Sequence, residues 1–284
     1  MMTERRVSAL LLLPATLWFL ALLVLPLVVI LVYSFGERAP EGGYAAGFTL
    51  AQYANLPARW TAFQNTLTLA PLGTLLTLLA SYPVAYWLAL HCPQRWRLFL
   101  LVLVIVPFWT SLLIRTYAWI FILGGRGLPA LLAWLGLGES RLINTPFAVL
   151  LGIVYGYLPL MVFPIYVSLE KLDRRLLEAS ADLYAAPWRT FLQVTLPLSL
   201  PGVATGSMLV FILLMGEFLI PALLGGGKVF FIGNALVDLF LQSRNWPFGA
   251  AVSVALVLIM LATVTLYLRL VLGRGGGARD VAVT

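Results

Sequence analysis

The sequence predicts an all-α polytopic membrane protein with about six transmembrane helices. Of its 284 residues, 62% are hydrophobic and only 10% are charged, and its mean hydropathy is +0.99. Soluble domains carry about 25% charged residues, and a helix needs about 20 apolar residues to cross a bilayer. We therefore expect a single transmembrane domain over residues 1–284. The apolar stretches lie roughly at residues 10–32, 67–90, 98–123, 147–169, 203–224 and 250–272.

Basic residues are distributed unevenly among the segments that connect these spans. If the N-terminus lies inside the cell, the inner segments hold Arg5, Arg6, Arg95, Arg97, Lys171, Arg174, Arg175, Arg189, Arg269, Arg274 and Arg279. The outer segments hold Arg38, Arg59, Arg126, Arg141, Lys228 and Arg244. An excess of basic residues marks the cytoplasmic side, so both termini are expected in the cytoplasm. The net charge of +7 thus reflects topology and not nucleic-acid binding.

The long polar interval at residues 170–199 is the only one between spans that keeps a helical pattern. Apolar residues recur there at helical spacing, namely Leu172, Leu176, Leu183 and Tyr184. Charged residues lie on the opposite face, namely Arg174, Arg175, Glu178 and Asp182. Asp173 is the expected N-cap, and Pro187 prevents the helix from continuing. Such a helix either lies on lipid headgroups or binds a soluble partner. Its mixture of charge signs favours the soluble partner.

Two charged residues, Arg115 and Glu217, lie inside apolar spans at similar expected depths. Intramembrane charges are costly and normally face a bundle interior, a partner or a water-filled path. One interpretation is an Arg115–Glu217 ion pair that holds helices together. The other is that Glu217 lines the route of a cationic solute, beside the aromatic residues Trp109, Tyr117 and Phe218. Lys228 would then place a cation at the outer mouth, after three glycines expected to form a flexible hairpin.

No Walker motif, zincin motif, nucleophile elbow or Cys/His cluster occurs in the sequence. We therefore expect no catalytic residue, metal site or cofactor in this chain. The lone Cys92 excludes an intrachain disulfide. A six-span carrier draws its energy either from an ion gradient or from a soluble partner. The helical segment at 170–199 favours the partner, an ion-coupled carrier is the alternative, and a scaffold that transports nothing is a distant third.

The stretch EASADLYAAPWRTFLQVTLPLSLPG resembles the EAA loop of ABC importer permeases. The matching residues are Glu178, Ala179, Asp182, Leu183, Ala185, Phe191, Leu196, Pro197, Pro201 and Gly202. Ser180 replaces the second alanine of the pattern, and Tyr184 replaces its usual glycine. The resemblance implies a MetI-like permease bundle coupled to a cytoplasmic ATPase. The implied coupling residues are Glu178, Ala179, Asp182, Leu183, Tyr184 and Ala185.

Four further segments, PFWTSLLIRTYAW, GSMLVFILLMGEFLIPALLGG, IGNALV and RNWPFGAA, are similar to the permease subunits of spermidine/putrescine-type ABC importers. This similarity implies a multi-pass protein of the bacterial inner membrane that imports a polyamine. It also implies a second permease subunit, two copies of an ABC ATPase that bind ATP and Mg, and a solute-binding protein. Those permeases tend to carry acids where this chain has Ala222 and Asn245. Another organic amine or an amino-acid-like compound is therefore the alternative solute.

Overall fold

The computed structural model describes residues 4–136 and 141–275. Arg279, one of the basic residues counted for topology, lies outside them, as do the two chain ends. The α-helices are α1 (Glu4–Phe19), α2 (Leu25–Tyr33), α3 (Ala51–Ala54), α4 (Trp60–Tyr86), α5 (Gln94–Trp109), α6 (Leu112–Leu123), α7 (Leu128–Trp134), α8 (Pro146–Glu170), α9 (Arg174–Asp182), α10 (Pro187–Thr190), α11 (Leu196–Met215), α12 (Leu219–Leu224), α13 (Ile232–Val237) and α14 (Trp246–Gly275).

Four π-helical turns and one 3₁₀ turn connect several of these helices. The π turns are Leu20–Val24, Trp87–His91, Phe191–Thr195 and Asp238–Gln242, and the 3₁₀ turn is Leu56–Arg59. The strands β1 (Glu37–Arg38) and β2 (Tyr44–Ala45) form an antiparallel pair in which Arg38 faces Tyr44.

Six helical stretches in the described part of the chain are long and apolar enough to cross a membrane. They are Leu11–Tyr33, Leu56–His91, Leu112–Trp134, Pro146–Glu170, Pro187–Met215 and Trp246–Arg269. The expected all-α fold with six transmembrane helices is confirmed.

The third and fifth stretches differ from the sequence-based spans because two helices are interrupted. Between α5 and α6, Thr110 and Ser111 adopt extended backbone conformations, with ψ angles of 150° and 132°. Between α11 and α12, residues 216–218 leave the helix. Hydropathy does not detect such breaks, because the residues around them remain apolar. Interrupted helices are tolerated in a membrane only where the protein satisfies the freed backbone groups.

Contacts between Cα atoms divide the chain into two compact units. The first comprises Met1–Trp60 and Ala235–Leu261, and the second comprises Thr61–Asn234 and Ala262–Thr284. In the first unit, Arg59 donates to Asp238 at 2.6 Å, and the Arg38 side chain donates to the carbonyl oxygen of Ser243 at 2.8 Å. These bonds attach the segments before α4 to the turn that precedes α14.

The second unit is built on the contact between α8 and α11, the most extensive between helices in the described chain. Glycines on α11 bring the two backbones together. A Cβ atom on Gly202 would overlap the carbonyl oxygen of Pro164 and the side chain of Ser168, and one on Gly206 would lie 2.9 Å from Met161 Sδ. Small residues allow this close approach in membrane helices, where van der Waals packing drives association.

Candidate functional site

The helix α9 is the centre of the predicted coupling segment. Asp173 precedes it, and the Asp173 carboxylate accepts a hydrogen bond from the backbone N–H of Arg175 at 3.0 Å. This is the predicted N-cap, and it satisfies one of the free N–H groups of the first turn. The helix is shorter than the apolar pattern suggested, because Leu172 lies before its start and Leu183 and Tyr184 lie beyond its end.

The C-terminus of α9 is closed by a Schellman motif. The N–H of Tyr184 donates to the carbonyl oxygen of Ala181 at 2.9 Å, and the N–H of Ala185 donates to that of Ser180 at 3.1 Å. The motif requires a left-handed residue at the position just past the C-cap, which is usually glycine. Here that residue is Tyr184, whose φ is +54°. The glycine that Tyr184 replaces in the EAA pattern therefore has a conformational role.

Ser180, which replaces an alanine in the EAA pattern, connects α9 to α10. Its hydroxyl lies 2.7 Å from the hydroxyl of Thr190, and the two form a hydrogen bond. The next residue, Phe191, meets the rings of Tyr82 and Tyr86 edge-on, with centroids 5.6 and 5.9 Å away. The Ser180–Thr190 bond and these ring contacts thus connect α9, through α10 and Phe191, to two aromatic residues of α4.

Five of the six predicted coupling residues have exposed side chains. Glu178, Ala179 and Asp182 are exposed, Leu183 is 81% exposed, and Tyr184 is 97% exposed. Ala185 is partly buried. The polar and apolar members are therefore both accessible to a partner.

Glu217 lies in the break between α11 and α12 and is only 6% exposed. Its carboxylate accepts a hydrogen bond from the hydroxyl of Tyr157. Its Oε1 atom also accepts from the backbone N–H groups of Leu219 at 2.8 Å and Ile220 at 3.2 Å. Glu217 therefore caps α12, and an acidic group is well suited to the N-terminus of a helix.

Asn234 also satisfies backbone groups near the break between α11 and α12. Its amide nitrogen donates to the carbonyl oxygen of Phe218 at 2.7 Å, and its amide oxygen accepts from the N–H of Phe231 at 3.1 Å. The N–H of Ile232 donates to the hydroxyl of Thr66 on α4 at 2.9 Å. These residues were not singled out from the sequence, although polar side chains in apolar surroundings were a usable signal.

The ion pair between Arg115 and Glu217, one of the two sequence-based interpretations, is not formed among the described residues. The guanidinium of Arg115 lies over the rings of Phe108 and Tyr155, at 5.9 and 6.0 Å. Tyr155 and Tyr157 are two residues apart on α8 and so point to different sides of this helix. The Tyr155 ring contacts Arg115 and the Tyr157 hydroxyl contacts Glu217, so each charge has its own partner on α8.

Arg115 is 9% exposed, and its Nε and Nη1 atoms have no hydrogen-bond partner in the described chain. The other four path candidates, Trp109, Tyr117, Phe218 and Lys228, have exposed side chains. Among the described residues, no hydrogen bond, ion pair or ring contact joins any two of the six residues predicted to line the solute path. Nor does the described chain contain a cluster of three His, Cys, Asp or Glu residues able to hold a metal ion.

Residues 81–274 match the family model described as binding-protein-dependent transport system inner membrane component. The chain belongs to this family. The match includes the whole coupling segment and both interrupted helices. A permease subunit of an ABC importer is therefore the established role of the chain, and its location is the bacterial inner membrane, as the sequence predicted.

Several curated members of the family are close relatives. The spermidine/putrescine transport system permease protein PotB of Haemophilus influenzae is 40% identical over 257 residues, which cover 89% of this chain and 90% of that protein. PotB of Escherichia coli is also 40% identical, over 89% of this chain and 93% of that protein. The E. coli inner membrane ABC transporter permease protein YdcU is 33% identical over 76% of this chain and 72% of its own length.

Two solved structures have the same fold. A bacterial ABC transporter involved in the import of the acidic polysaccharide alginate superimposes with a TM-score of 0.74 at 18% identity, over 93% of this chain and 94% of that chain. The alginate transporter bound to its periplasmic protein with an alginate pentasaccharide gives 0.72 at 17% identity, over 92% of each chain. The family description itself specifies transport systems that depend on a binding protein.

Proposed function

We propose that this chain is one of two membrane subunits of an ATP-driven importer for a polyamine such as putrescine or spermidine. The observation that carries this proposal is the 40% identity, over 89% of the chain, to permeases of spermidine/putrescine systems. Similarity of this extent includes the membrane helices as well as the coupling segment. The alternative solute is another organic amine or an amino-acid-like compound.

In this proposal, the energy comes from two copies of a cytoplasmic ABC ATPase, which bind ATP and Mg. Glu178 and Asp182 make polar contacts with a cleft on the ATPase, and Leu183 and Tyr184 pack into this cleft. The small side chains of Ala179 and Ala185 allow the ATPase to approach the backbone closely. Closure of the ATPase dimer moves α9, and the Ser180–Thr190 bond carries this movement into α10. A solute-binding protein delivers the polyamine from the outer side.

The polyamine route in this proposal is lined by the exposed side chains of Trp109, Tyr117 and Phe218, whose rings attract cations. Lys228 at the outer mouth opposes the entry of free cations. Glu217 shapes the route indirectly, because its carboxylate is already bonded to Tyr157 and to the start of α12. Arg115 borders the route and repels a cationic solute towards the aromatic residues.

The test is uptake of labelled putrescine and spermidine by E. coli cells that lack PotB and that express this chain with its own partner subunits. We expect ATP-dependent uptake. Glu178→Lys should abolish it without loss of membrane insertion, because the variant places a basic group where the ATPase meets an acid. Glu41→Lys is the matched control, because Glu41 is also exposed but lies outside the coupling segment.

Wild-type uptake by the Glu178→Lys variant would contradict the docking of this segment on an ATPase. Uptake of another amine, with neither polyamine transported, would leave the permease role intact and correct the solute. Solute movement by the purified chain alone in liposomes, driven by an ion gradient without ATP, would replace the proposal with an ion-coupled carrier.

A further inference from the structure

Tyr184 combines a left-handed backbone with a nearly complete exposure of its side chain. Its φ is +54°, and 97% of the residue is accessible. The left-handed region is unfavourable for a residue with a Cβ atom, whereas glycine enters it freely. A large aromatic side chain at this position therefore has a conformational cost that glycine would not have.

The described part of the chain offers nothing that offsets this cost. The bond from the N–H of Tyr184 to the carbonyl oxygen of Ala181 is a backbone bond that any residue other than proline would make. The Tyr184 ring and hydroxyl have no hydrogen bond and no ring contact with other described residues. Strained residues of this kind concentrate at functional sites, where the side chain is used.

We infer that Tyr184 is the anchor that selects the ATPase with which this permease assembles, by inserting its ring into an apolar pocket of that subunit. The inference rests on the proposed function and adds to it a specificity-determining residue. Tyrosine is favoured in such a role because it buries a large area and loses few rotamers. An ATPase without the pocket would meet the ring as a steric obstacle, and selection needs such a repulsive element.

The neighbouring residues identify the chemistry of the partner. Leu183, which directly precedes Tyr184, is 81% exposed, and Trp188 on α10 is 61% exposed, so the segment presents further large apolar side chains to its surroundings. The exposed acids Glu178 and Asp182 lie in the half of α9 that leads to this surface. The exposed Arg189 lies over the ring of Trp188 at 5.4 Å, so both signs of charge flank this surface. A helix that binds anionic lipid carries mainly basic residues on its polar face. A protein pocket with an apolar floor and charges of both signs at its rim therefore fits this surface better than lipid headgroups.

Substitution of Tyr184 should have opposite effects on stability and on binding. Tyr184→Gly relieves the left-handed strain, so we expect a higher midpoint of thermal unfolding for the full-length chain in lipid nanodiscs. The same variant should bind the ATPase that copurifies with the wild-type complex at least about tenfold more weakly. Tyr184→Phe keeps the ring and should retain the affinity to within about threefold.

Arg244→Gly provides a matched control for the backbone effect. Arg244 is also an exposed, large residue in the left-handed region, with φ of +49°, and it lies outside the coupling segment. This variant should raise the unfolding midpoint as Tyr184→Gly does. Its affinity for the ATPase should equal that of the wild type.

Equal ATPase affinity of Tyr184→Gly and the wild type would overturn this inference and leave the proposed function standing. Absence of ATPase binding by the wild-type chain would instead remove both. A photoreactive phenylalanine analogue at position 184 gives an independent readout in the assembled complex. We expect adducts with the ATPase, and adducts with lipid alone would show that Tyr184 is a membrane-interface residue.

Discussion

The hydroxyl of Tyr157, in the middle of α8, donates a hydrogen bond to the carboxylate of Glu217 in the break between α11 and α12. The same carboxylate accepts two backbone N–H groups of α12. Without these partners, the break would leave polar groups unsatisfied in an apolar environment, which is costly. We infer that Glu217 acts mainly by positioning α12.

The first prediction concerns this pair. Tyr157→Phe and Glu217→Gln should each lower the thermal stability of the chain. The double variant should lose less free energy of unfolding than the sum of the two single losses, by about 0.5–3 kcal/mol. The reason is that the effects of substitutions at contacting residues are not additive. The measurement is a double-mutant cycle on unfolding in nanodiscs. Glu217→Gln should leave the KM for putrescine within about twofold of the wild-type value, since the carboxylate is already occupied.

A different outcome would assign Glu217 to the solute. An increase of about tenfold or more in the KM for putrescine, with unchanged thermal stability, would show that the carboxylate contacts the cation directly. The same measurements on Leu223→Gln, at a partly buried residue of α12, control for the insertion of an amide near the break.

The second prediction concerns the contact between α8 and α11. Gly202→Ala should reduce folding and membrane yield, although alanine is favoured over glycine in helices by about 1 kcal/mol. The added Cβ would overlap the backbone carbonyl oxygen of Pro164, which cannot move without displacing α8. Gly125→Ala is the control, because nothing lies within 4 Å of its added Cβ. Normal yield and uptake from Gly202→Ala would contradict the close packing.

The third prediction concerns the hydroxyl pair of Ser180 and Thr190. Ser180→Ala removes a bond worth about 0.5–1.5 kcal/mol and leaves α10 less firmly attached to α9. We expect faster hydrogen exchange of the α10 amides and a lower uptake rate at unchanged insertion. Ser253→Ala is the control, because that hydroxyl donates to the carbonyl oxygen of Gly249 in its own helix and to no other described residue. Identical exchange in both variants would remove this bond from the coupling route.

The fourth prediction concerns Arg59 and Asp238, which form an ion pair at 2.6 Å with both side chains 28% exposed. Asp238→Asn should lower the stability by about 1 kcal/mol or less, since partly exposed pairs are weakened by solvent. The loss should shrink as the salt concentration rises, because salt screens the charges. Thermal unfolding at low and high salt measures this. A loss that does not depend on salt would indicate a packing effect.

Particular residues show how far sequence reasoning reached. The N-cap Asp173 and the exposed charges of α9 were predicted correctly, because caps and polar faces depend on residues within a few positions. The sequence showed that Tyr184 replaces the usual glycine of the EAA pattern, but only the backbone revealed that this position is left-handed. Arg115 and Glu217 were expected at similar depths, yet depth along two helices does not specify the direction of a side chain around each helix.

The sequence by itself determined that the chain crosses the membrane in six apolar stretches and carries a segment that resembles the EAA loop, because length, hydropathy and local motifs depend on neighbours in the chain. Only the tertiary structure decided where the helices break and which groups satisfy the breaks. Tyr157, Asn234 and Thr66 come from separate parts of the sequence and meet around residues 216–232. Contacts between such distant residues depend on the packing of the helices, because a buried polar group forms its hydrogen bond with a group that the fold places beside it.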